Sequence, residues 1–481
     1  MRLLVLLCVF CMVSAQAQPP SSSLTSKINA VENSLAPATI YGDTLPHWNL
    51  KERMKIHHVK GLSIAVIDNY KIVWAKGYGW ADEEAGKPVT EHTRFQAASI
   101  SKSLNSLGVL KLVQRGLLVP DADINTYLKS WKFPYDSLSG GKKINVYDLL
   151  SHTAGTSVHG FWGYGSAGPF PTVKQVLNGE SPANSKAVRS MFPPGQKFQY
   201  SGGGTTVTQL MVSDITGQDY AAYMKKEVLD PLGMKESFFT QPPPPGTKDL
   251  AVAYVNGQHA DGDYHVYPEQ AAAGLWTTPA DIARYVIETQ LAFEGRSAKV
   301  LNRQMTQQRF TPRIDSAFGL GLFIENRNGH KYFNHNGGNY GFVCTYYGSL
   351  KGGKGVVIMT NGEQFQMINE LLNSVAQVYK WPGFYEPKFV SPYKMNKDTL
   401  TAYLGSYKLE SDTLTMVRCG EELCMRQSGQ VQAMKMVFTS ATSFTLPDVP
   451  GAVISMLYKE GKVYAMEIRQ GGQTLTALRM D

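Results

Sequence analysis

Residues 99–117 read SISKSLNSLGVLKLVQRGL. The apolar residues of this stretch recur at helical spacing, so one face of a helix over residues 101–117 is predicted to point into a core. The residues of that face are Leu104, Leu107, Leu110, Val113 and Leu117. Ser99 and Lys102 lie at the start of the helix, where one turn brings the lysine amine beside the serine hydroxyl. Ser99 is therefore a candidate nucleophile.

The same Ser-x-x-Lys spacing occurs twice more in less suitable places. Ser139 and Lys142 lie in a turn-like segment, whereas Ser391 and Lys394 flank Pro392, where no helix can hold the pair. The pair in the quoted stretch opens a helix, whose free backbone N–H groups and positive dipole end stabilise negative charge. Taken alone, that pair also fits an N-cap serine followed by a solvated lysine.

Strand-like runs lie at both ends of the first 380 residues. Residues 61–68 and 71–79 predict a hairpin, and four later runs predict antiparallel strands: 319–325, 331–334, 342–348 and 355–360. The region between them predicts loops and helices, including a helix over residues 205–216. These patterns predict an α/β (α+β) fold in which a single antiparallel sheet takes strands from both ends, with a helix over residues 367–379 covering it.

Composition divides the chain into three segments. Residues 1–17 have the layout of a secretory signal, with Arg2, an apolar run and small residues before the cleavage site. A Pro-containing stretch over residues 381–397 predicts a linker, and the short alternating segments after it predict a small all-β barrel or sandwich. The predicted units are a signal peptide over 1–17, a mixed helix–sheet domain over 18–390 and an all-β domain over 391–481.

Composition also excludes several classes of function. The net charge is +8 without a Lys/Arg-rich run, so no nucleic-acid partner is expected. Zinc-ligand spacing, a phosphate loop and a GxSxG elbow are missing from the sequence, so neither metal nor cofactor is predicted. The apolar run at residues 3–13 is too short to span a bilayer. The mature chain is therefore expected to have no transmembrane segment. The signal-like residues 1–17 predict that it is periplasmic or secreted.

The cysteines predict structure rather than chemistry. Cys419 and Cys424 flank a short hairpin turn, and an oxidising compartment would allow a bridge between them. Cys344 lies in a strand-like run and is interpreted as a small buried hydrophobe.

In two further segments, a residue that could take part in catalysis stands shortly before two or more glycines. Residues 198–204, FQYSGGG, place a tyrosine before a Gly-rich turn that leads into a helix. Residues 333–338, FNHNGG, place a histidine at a strand end before two glycines. Together with the quoted SISK, the tyrosine and histidine segments resemble the three active-site motifs of the serine β-lactamase and penicillin-binding protein superfamily, its class C-like branch above all. The resemblance covers about residues 30–380, and the all-β tail resembles the lipocalin-like C-terminal domains of some members.

The resemblance implies a role for each motif residue. Ser99 would attack a carbonyl to form an acyl-enzyme, with Lys102 and Tyr200 sharing the general-base role. The backbone N–H groups of Ser99 and Gly338 would form the oxyanion hole. His335 stands where many relatives have lysine, and would offer a hydrogen bond or a positive charge to a substrate carboxylate.

Gly202 departs from the pattern of this superfamily, which usually has asparagine there to hold the acyl side-chain amide of peptides and β-lactams. The departure affects β-lactam recognition more than acyl transfer, and it leaves room for other esters or amides. Gly202 and Gly337 are predicted to border the substrate. His152 is interpreted as a scaffold residue. Three nearby aromatic residues either line a substrate cleft or pack a long loop: Phe161, Trp162 and Tyr164.

The sequence therefore predicts a secreted serine hydrolase that acts through an acyl-enzyme on an amide, peptide or ester bond of a small molecule or peptide. One alternative is a carboxylesterase of the same family with weak β-lactamase activity. Another is a non-catalytic sensor of peptidoglycan fragments, against which the intact Ser99, Lys102 and Tyr200 argue.

Overall fold

The computed structural model describes residues 22–410, 412–430, 433–447, 449, 451–470 and 473–480, so the signal peptide predicted over 1–17 lies outside the described residues. Its α-helices are α1 (Ser22–Glu32), α2 (Leu50–Ile56), α3 (Ile100–Gln114), α4 (Val146–Leu150), α5 (Val173–Asn178), α6 (Gly202–Thr216), α7 (Tyr220–Met224), α8 (Asp230–Leu232), α9 (Gln270–Ala273), α10 (Pro279–Glu294), α11 (Arg303–Arg309), α12 (Phe365–Val378) and α13 (Lys397–Tyr403).

The strands fall into two groups. Those before residue 391 are β1 (Thr39–Tyr41), β2 (Gly61–Asp68), β3 (Lys71–Asp82), β4 (Lys87–Pro88), β5 (Phe95–Gln96), β6 (Tyr164–Gly165), β7 (Tyr254–Val255), β8 (Gln258–His259), β9 (His265–Val266), β10 (Trp276–Thr277), β11 (Phe323–Arg327), β12 (His330–Asn339), β13 (Phe342–Ser349), β14 (Gly355–Thr360) and β15 (Lys388–Val390). Those after it are β16 (Gly405–Leu409), β17 (Asp412–Cys419), β18 (Glu422–Gln427), β19 (Met434–Lys435), β20 (Val437–Phe438), β21 (Ser443–Thr445), β22 (Val453–Lys459), β23 (Lys462–Gln470) and β24 (Gln473–Arg479).

The central sheet has seven strands in the order β11-β12-β13-β14-β2-β3-β4. The early hairpin β2–β3 pairs with β14, with Ile64 opposite Ile358, so the predicted sheet from both ends of the domain is confirmed. Because side chains alternate across a strand, Val356 and Ile358 join a core with α1 and α12, whereas Val357 and Met359 join a second core with α3 and α10.

Helix α3 differs from its prediction. It is buried on nearly all sides rather than on one face, because α6 and α9 pack around it; Asn105 Nδ2, for example, donates to Thr208 Oγ1 of α6 at 2.9 Å. The helix ends at Gln114, before Gly116 with its left-handed φ of +71°, so Leu117 lies beyond it and is 52% exposed. Burial of the whole first turn also buries Lys102.

Two strands of the central sheet begin or end at residues other than those predicted. The run predicted as a strand from 319 contains a turn at Gly321, whose φ is +78°, and β11 begins only at Phe323. Strand β12 continues to Asn339, so the histidine motif lies within a strand rather than at its end. Likewise, α6 begins at Gly202, which makes the Gly-rich segment the first turn of the helix.

The all-β region is a nine-stranded antiparallel sheet in the order β19-β18-β17-β16-β24-β23-β22-β21-β20. Its two edge strands, β19 and β20, are separated in sequence by Met436 alone, so the sheet nearly closes on itself around an apolar interior and the predicted barrel is confirmed. Cys419 and Cys424 form a disulfide across the β17–β18 hairpin.

The first half of the predicted linker is packed rather than free. Trp381 and Phe384 are buried against Tyr332, and β15 pairs in parallel with β1. The apolar side chains between the prolines explain the difference, since they extend the core that α12 covers. Tyr41 of β1 is hydrogen-bonded to Thr445 of the barrel at 2.9 Å. Within the described ranges, no helix combines the length and the apolarity that crossing a membrane requires.

Candidate active site

Ser99 and Lys102 lie at the N-terminus of α3, with Ser99 as the residue that precedes the helix. Lys102 Nζ donates to Ser99 Oγ at 3.0 Å and to the Ala272 carbonyl oxygen of α9 at 2.7 Å. The Ser99 side chain is partly exposed, whereas Lys102 is only 4% exposed. The pair therefore combines an accessible hydroxyl with a buried amine.

Burial sets the protonation state of Lys102. Because a buried cation loses its hydration, the pKa of the amine falls from 10.5 to about 7. Ala272 offers only a neutral carbonyl oxygen, and among the described residues no carboxylate contacts the amine to restore its charge. A large fraction of Lys102 is thus neutral at pH 7 and has a free lone pair.

Tyr200 completes a chain of three polar groups. Burial raises the pKa of its phenol above the ordinary value and outweighs the opposite effect of the neighbouring Ser99 hydroxyl, so the phenol remains protonated at neutral pH. Lys102 Nζ lies 5.1 Å from the centroid of its ring. The next residue, Ser201, caps α6 by accepting the Gly204 N–H at 2.9 Å, and this cap fixes where Tyr200 enters the site.

Two imidazoles pack on the Tyr200 ring. His152 lies 4.3 Å away between centroids, and its Nδ1 accepts the Ser201 N–H at 3.2 Å. Burial, followed by the nearby Lys102 charge, holds the pKa of His152 well below its usual value, so the ring is neutral. His159 packs on the same tyrosine at 5.0 Å. The scaffold interpretation of His152 agrees with these contacts, whereas nothing in the sequence distinguished His159.

His335 is neutral rather than cationic. Burial, followed by the charge of Lys102, lowers the pKa of His335 to about 3. Its Nδ1 lies 2.6 Å from the Asn336 carbonyl oxygen, which only accepts, so the ring proton lies on Nδ1. The buried Nε2 then presents a lone pair with no partner among the described residues. Of the two possibilities left open for His335, a hydrogen bond or a positive charge, its low pKa favours the uncharged hydrogen-bonding form at pH 7, because 1% exposure leaves a cation without hydration.

The two glycines of the histidine motif have different surroundings. A Cβ on Gly337 would overlap the Ala97 carbonyl oxygen, so this buried glycine lets β12 approach the segment that leads to Ser99. Its predicted place beside the substrate stays a prediction. Gly338 is exposed, and a Cβ added there would lie in ordinary contact with the Phe365 ring, 3.7 Å from its Cε2. Pairing with β11 ends at Asn334, so no strand covers that edge of β12 from His335 onward.

Gly202 is covered by the loop of residues 157–162. A Cβ added there would lie 3.0 Å from Phe161 Cε2 and 3.1 Å from the His159 carbonyl oxygen. That carbonyl also accepts the Gly202 N–H at 2.9 Å. Phe161 thus packs where an asparagine side chain would begin, while Trp162 is 80% exposed.

Tyr164 is buried and donates to Glu269 at 3.2 Å. Glu269 is completely buried and burial raises its pKa to about 7, a feature that sequence reasoning missed. Cys344 is buried as predicted, with Sγ donating to the Ala97 carbonyl oxygen at 3.2 Å.

The other candidates for chemistry do not assemble. The buried Ser139 donates to the Asp136 carbonyl oxygen while Lys142 is exposed, and Ser391 and Lys394 are both exposed. Among the residues with described positions, no three His, Cys, Asp or Glu side chains group as a metal site requires.

Comparison with known proteins agrees with this geometry. A family model described as Beta-lactamase matches residues 49–377. Esterase EstB of Burkholderia gladioli is 31% identical over 208 residues, 41% of this chain, and the match spans 50% of the esterase's own length. Penicillin-binding protein 4* of Bacillus subtilis is 21% identical over 81% of this chain and 88% of its own.

A solved structure extends the likeness in fold to most of the chain. The octameric penicillin-binding protein homologue from Pyrococcus abyssi superposes with a TM-score of 0.60 at 20% identity, over 90% of this chain and 97% of that one.

Proposed function

Because the chain belongs to the Beta-lactamase family of serine hydrolases, we propose that Ser99 attacks the carbonyl of an ester, amide or peptide bond and forms an acyl-enzyme. One observation carries the proposal: the Ser99 hydroxyl accepts a hydrogen bond from the buried Lys102 amine and lies close enough to the Tyr200 hydroxyl to affect its pKa. This arrangement supplies a proton acceptor and a proton carrier at the same oxygen.

The pKa values assign the proton transfers. Lys102, with a pKa of about 7, is neutral often enough to accept the Ser99 proton as the serine oxygen bonds to the carbonyl carbon. Tyr200 keeps its own proton at neutral pH, since burial raises its pKa; it donates that proton to the leaving group as the bond to the carbonyl breaks, and it regains the proton that Lys102 took from Ser99. In the second half of the reaction Lys102 accepts a proton from water as the water oxygen bonds to the carbonyl carbon, and it returns a proton to the Ser99 oxygen as the acyl bond breaks and the acid leaves.

The developing oxyanion needs donors that are already in place. We assign them to the backbone N–H groups of Ser99, at the N-terminus of α3, and of Gly338, on the strand edge that β11 leaves uncovered. The Nε2 lone pair of His335 is available to accept a hydrogen bond from a substrate N–H or O–H group.

The loop over Gly202 favours small esters and amides over penicillins. Phe161 packs at the position from which an asparagine amide would hold an acyl side chain, and glycine supplies no replacement. EstB is named an esterase and Penicillin-binding protein 4* is named for binding penicillin, so both substrate classes are candidates for this chain. The signal-like residues 1–17 support a secreted or periplasmic location.

Covalent labelling tests the proposal directly. The full chain would be treated with a fluorophosphonate and, separately, with a fluorescent penicillin, and each adduct located by peptide mass spectrometry. We expect rapid fluorophosphonate labelling at Ser99 and slower penicillin labelling at the same residue. Labelling of another serine, or no labelling by either reagent, would contradict the proposal, and the second result would favour the sensor.

A further inference from the structure

A cavity of about 450 Å³ lies beside the loop that covers Gly202. We propose that it binds a carboxylate carried at the far end of the substrate's acyl group, so that the enzyme prefers acyl groups with a terminal negative charge. This inference rests on the proposed acyl-enzyme reaction and extends it to the class of substrate.

The walls of the cavity combine aromatic surface with positive charge. Its lining includes the aromatic Phe161 and Trp162 together with Ser185, Lys186 and Arg189. No aspartate or glutamate is among its described lining residues, so the two cations are not neutralised there. An aromatic wall accommodates the methylene chain of an acyl group, and the cations favour an anionic end.

The polar groups of the cavity still have unused capacity. The exposed Lys186 amine makes no hydrogen bond or ion pair with a described residue. Arg189 uses one nitrogen, NH1, for the carbonyl oxygens of Leu177 and Val188, and its other guanidinium nitrogens have no described partner. The Ser185 hydroxyl is buried and likewise unpartnered within the described residues. Each of these groups can donate a hydrogen bond and a carboxylate only accepts, so the donors of the cavity suit an anionic end of the acyl group.

The same loop connects the cavity to the catalytic cluster. Its carbonyl at His159 accepts the Gly202 N–H, and the His159 ring packs on Tyr200, whereas its neighbours on either side line the cavity. Phe161 belongs to both surroundings, because it lines the cavity and also lies next to Gly202. Because Phe161 borders both Gly202 and the cavity, an acyl group that lies beside Gly202 and extends past Phe161 would reach the two cations.

Matched esters measure the preference. The substrates are 4-nitrophenyl monoesters of dicarboxylic acids, from adipate to sebacate, each paired with the neutral 4-nitrophenyl ester of the monocarboxylic acid of equal chain length. We expect the ratio of kcat/KM for the charged to the neutral ester to peak at one chain length, at about 5-fold or more. The ratio should fall as ionic strength rises, because salt screens partly exposed charges.

Charge reversal at the cavity supplies the decisive variant. Lys186→Glu should abolish the preference by lowering kcat/KM for the charged esters, with the neutral esters changed less than about twofold. Lys174→Glu is the matched control, because it makes the same charge reversal at an exposed lysine that does not line the cavity. It should leave the ratio of kcat/KM for the charged to the neutral ester unchanged. Arg189→Lys, which keeps the charge, should retain most of the preference.

The outcomes separate this inference from the reaction on which it rests. Normal turnover of neutral esters with no preference at any chain length, or equal loss in Lys186→Glu and Lys174→Glu, would overturn the carboxylate site and leave the acyl-enzyme reaction intact. Failure to hydrolyse any ester, together with no fluorophosphonate adduct at Ser99, would overturn the proposed function and this inference with it.

Discussion

The pairs Ser99–Lys102 and Ser139–Lys142 have the same spacing and opposite surroundings. In the first pair the hydroxyl is partly exposed and the amine is 4% exposed. In the second the serine is 2% exposed and donates to the Asp136 carbonyl oxygen, while the lysine is exposed to solvent. Spacing alone therefore does not make a nucleophile. A reactive pair needs an accessible hydroxyl, together with an amine whose burial lowers its pKa.

The largest difference between the two pairs should appear when each serine is removed. Ser99→Ala should abolish hydrolysis and fluorophosphonate labelling, because no neighbouring group can replace the attacking oxygen. Ser139→Ala should leave both unchanged apart from a small loss of stability from its buried hydrogen bond. Labelling followed by peptide mass spectrometry checks both variants, and an adduct that persists in Ser99→Ala would disprove the assignment.

The two lysines should also differ strongly. Lys102→Met and Tyr200→Phe should each slow acylation by about 10²- to 10⁴-fold, the usual contribution of a positioned proton transfer. Lys142→Met, at an exposed position, is the matched control and should retain full activity. Stopped-flow acylation with an activated ester gives the rates.

The double variant Lys102→Met/Tyr200→Phe adds a further check. Because both groups contact the Ser99 hydroxyl and act together, its loss should be much smaller than the product of the single losses. Near wild-type acylation by Tyr200→Phe on both an ester and an amide would remove the tyrosine from the proton route.

The pH dependence of acylation should follow Lys102. Below its pKa of about 7 the amine is protonated and cannot accept a proton, so the rate should fall about tenfold per pH unit on the acid side and level off above pH 7. A rate that is flat from pH 5 to pH 9 would exclude Lys102 as the base.

The free energy of unfolding should also depend on the protonation of Lys102, and the direction of that dependence follows from its lowered pKa. The folded pKa of Lys102 lies below the ordinary 10.5, so between about pH 7 and pH 10.5 the unfolded chain binds more protons and the free energy of unfolding rises with pH. Below pH 7 the folded protein holds a buried cation and this advantage is lost. Lys102→Met should therefore stabilise the protein more at pH 6 than at pH 10, whereas Lys142→Met should show no such difference in urea unfolding.

Apolar runs and helix-cap residues in the sequence predicted several strands and helices of the fold. The hairpin β2–β3 and strands β13 and β14 follow from alternating or continuous apolar runs, and α10 follows from the N-cap Thr278 with Pro279 after it. Leu117 was misplaced because its helical spacing continued past Gly116, where a left-handed residue ends the last turn. The apolar period does not reveal that change of backbone direction.

The candidate site was predictable as a set of residues but not as a set of environments. Lys102 Nζ contacts both Ser99 Oγ and the Tyr200 ring, while the catalytic roles of the three residues stay predictions. The neutral state of His335 was not predictable, because it depends on burial by residues far away in sequence. The contact of Phe161 with Gly202 likewise depends on a loop, whose path no periodic pattern specifies.

The smallest predicted effect concerns Gly202, where the loop should change specificity without changing the reaction. The φ of Gly202 is not left-handed, so its backbone accepts asparagine, but the new Cβ would lie 3.0 Å from Phe161 Cε2. Gly202→Asn alone should therefore gain less than about twofold on penicillins, because the amide has no room to reach the substrate.

The double variant Gly202→Asn/Phe161→Ala supplies that room. One good hydrogen bond contributes about 0.5 to 1.5 kcal/mol, so this double variant should raise kcat/KM for a penicillin relative to a small ester by about 2- to 12-fold. Phe161→Ala alone is the control, and it should not change that ratio in the same direction. A wild-type enzyme that already hydrolyses penicillins faster than activated esters would show that neither Gly202 nor the loop above it sets specificity, because the absence of an amide at position 202 would not have reduced penicillin hydrolysis.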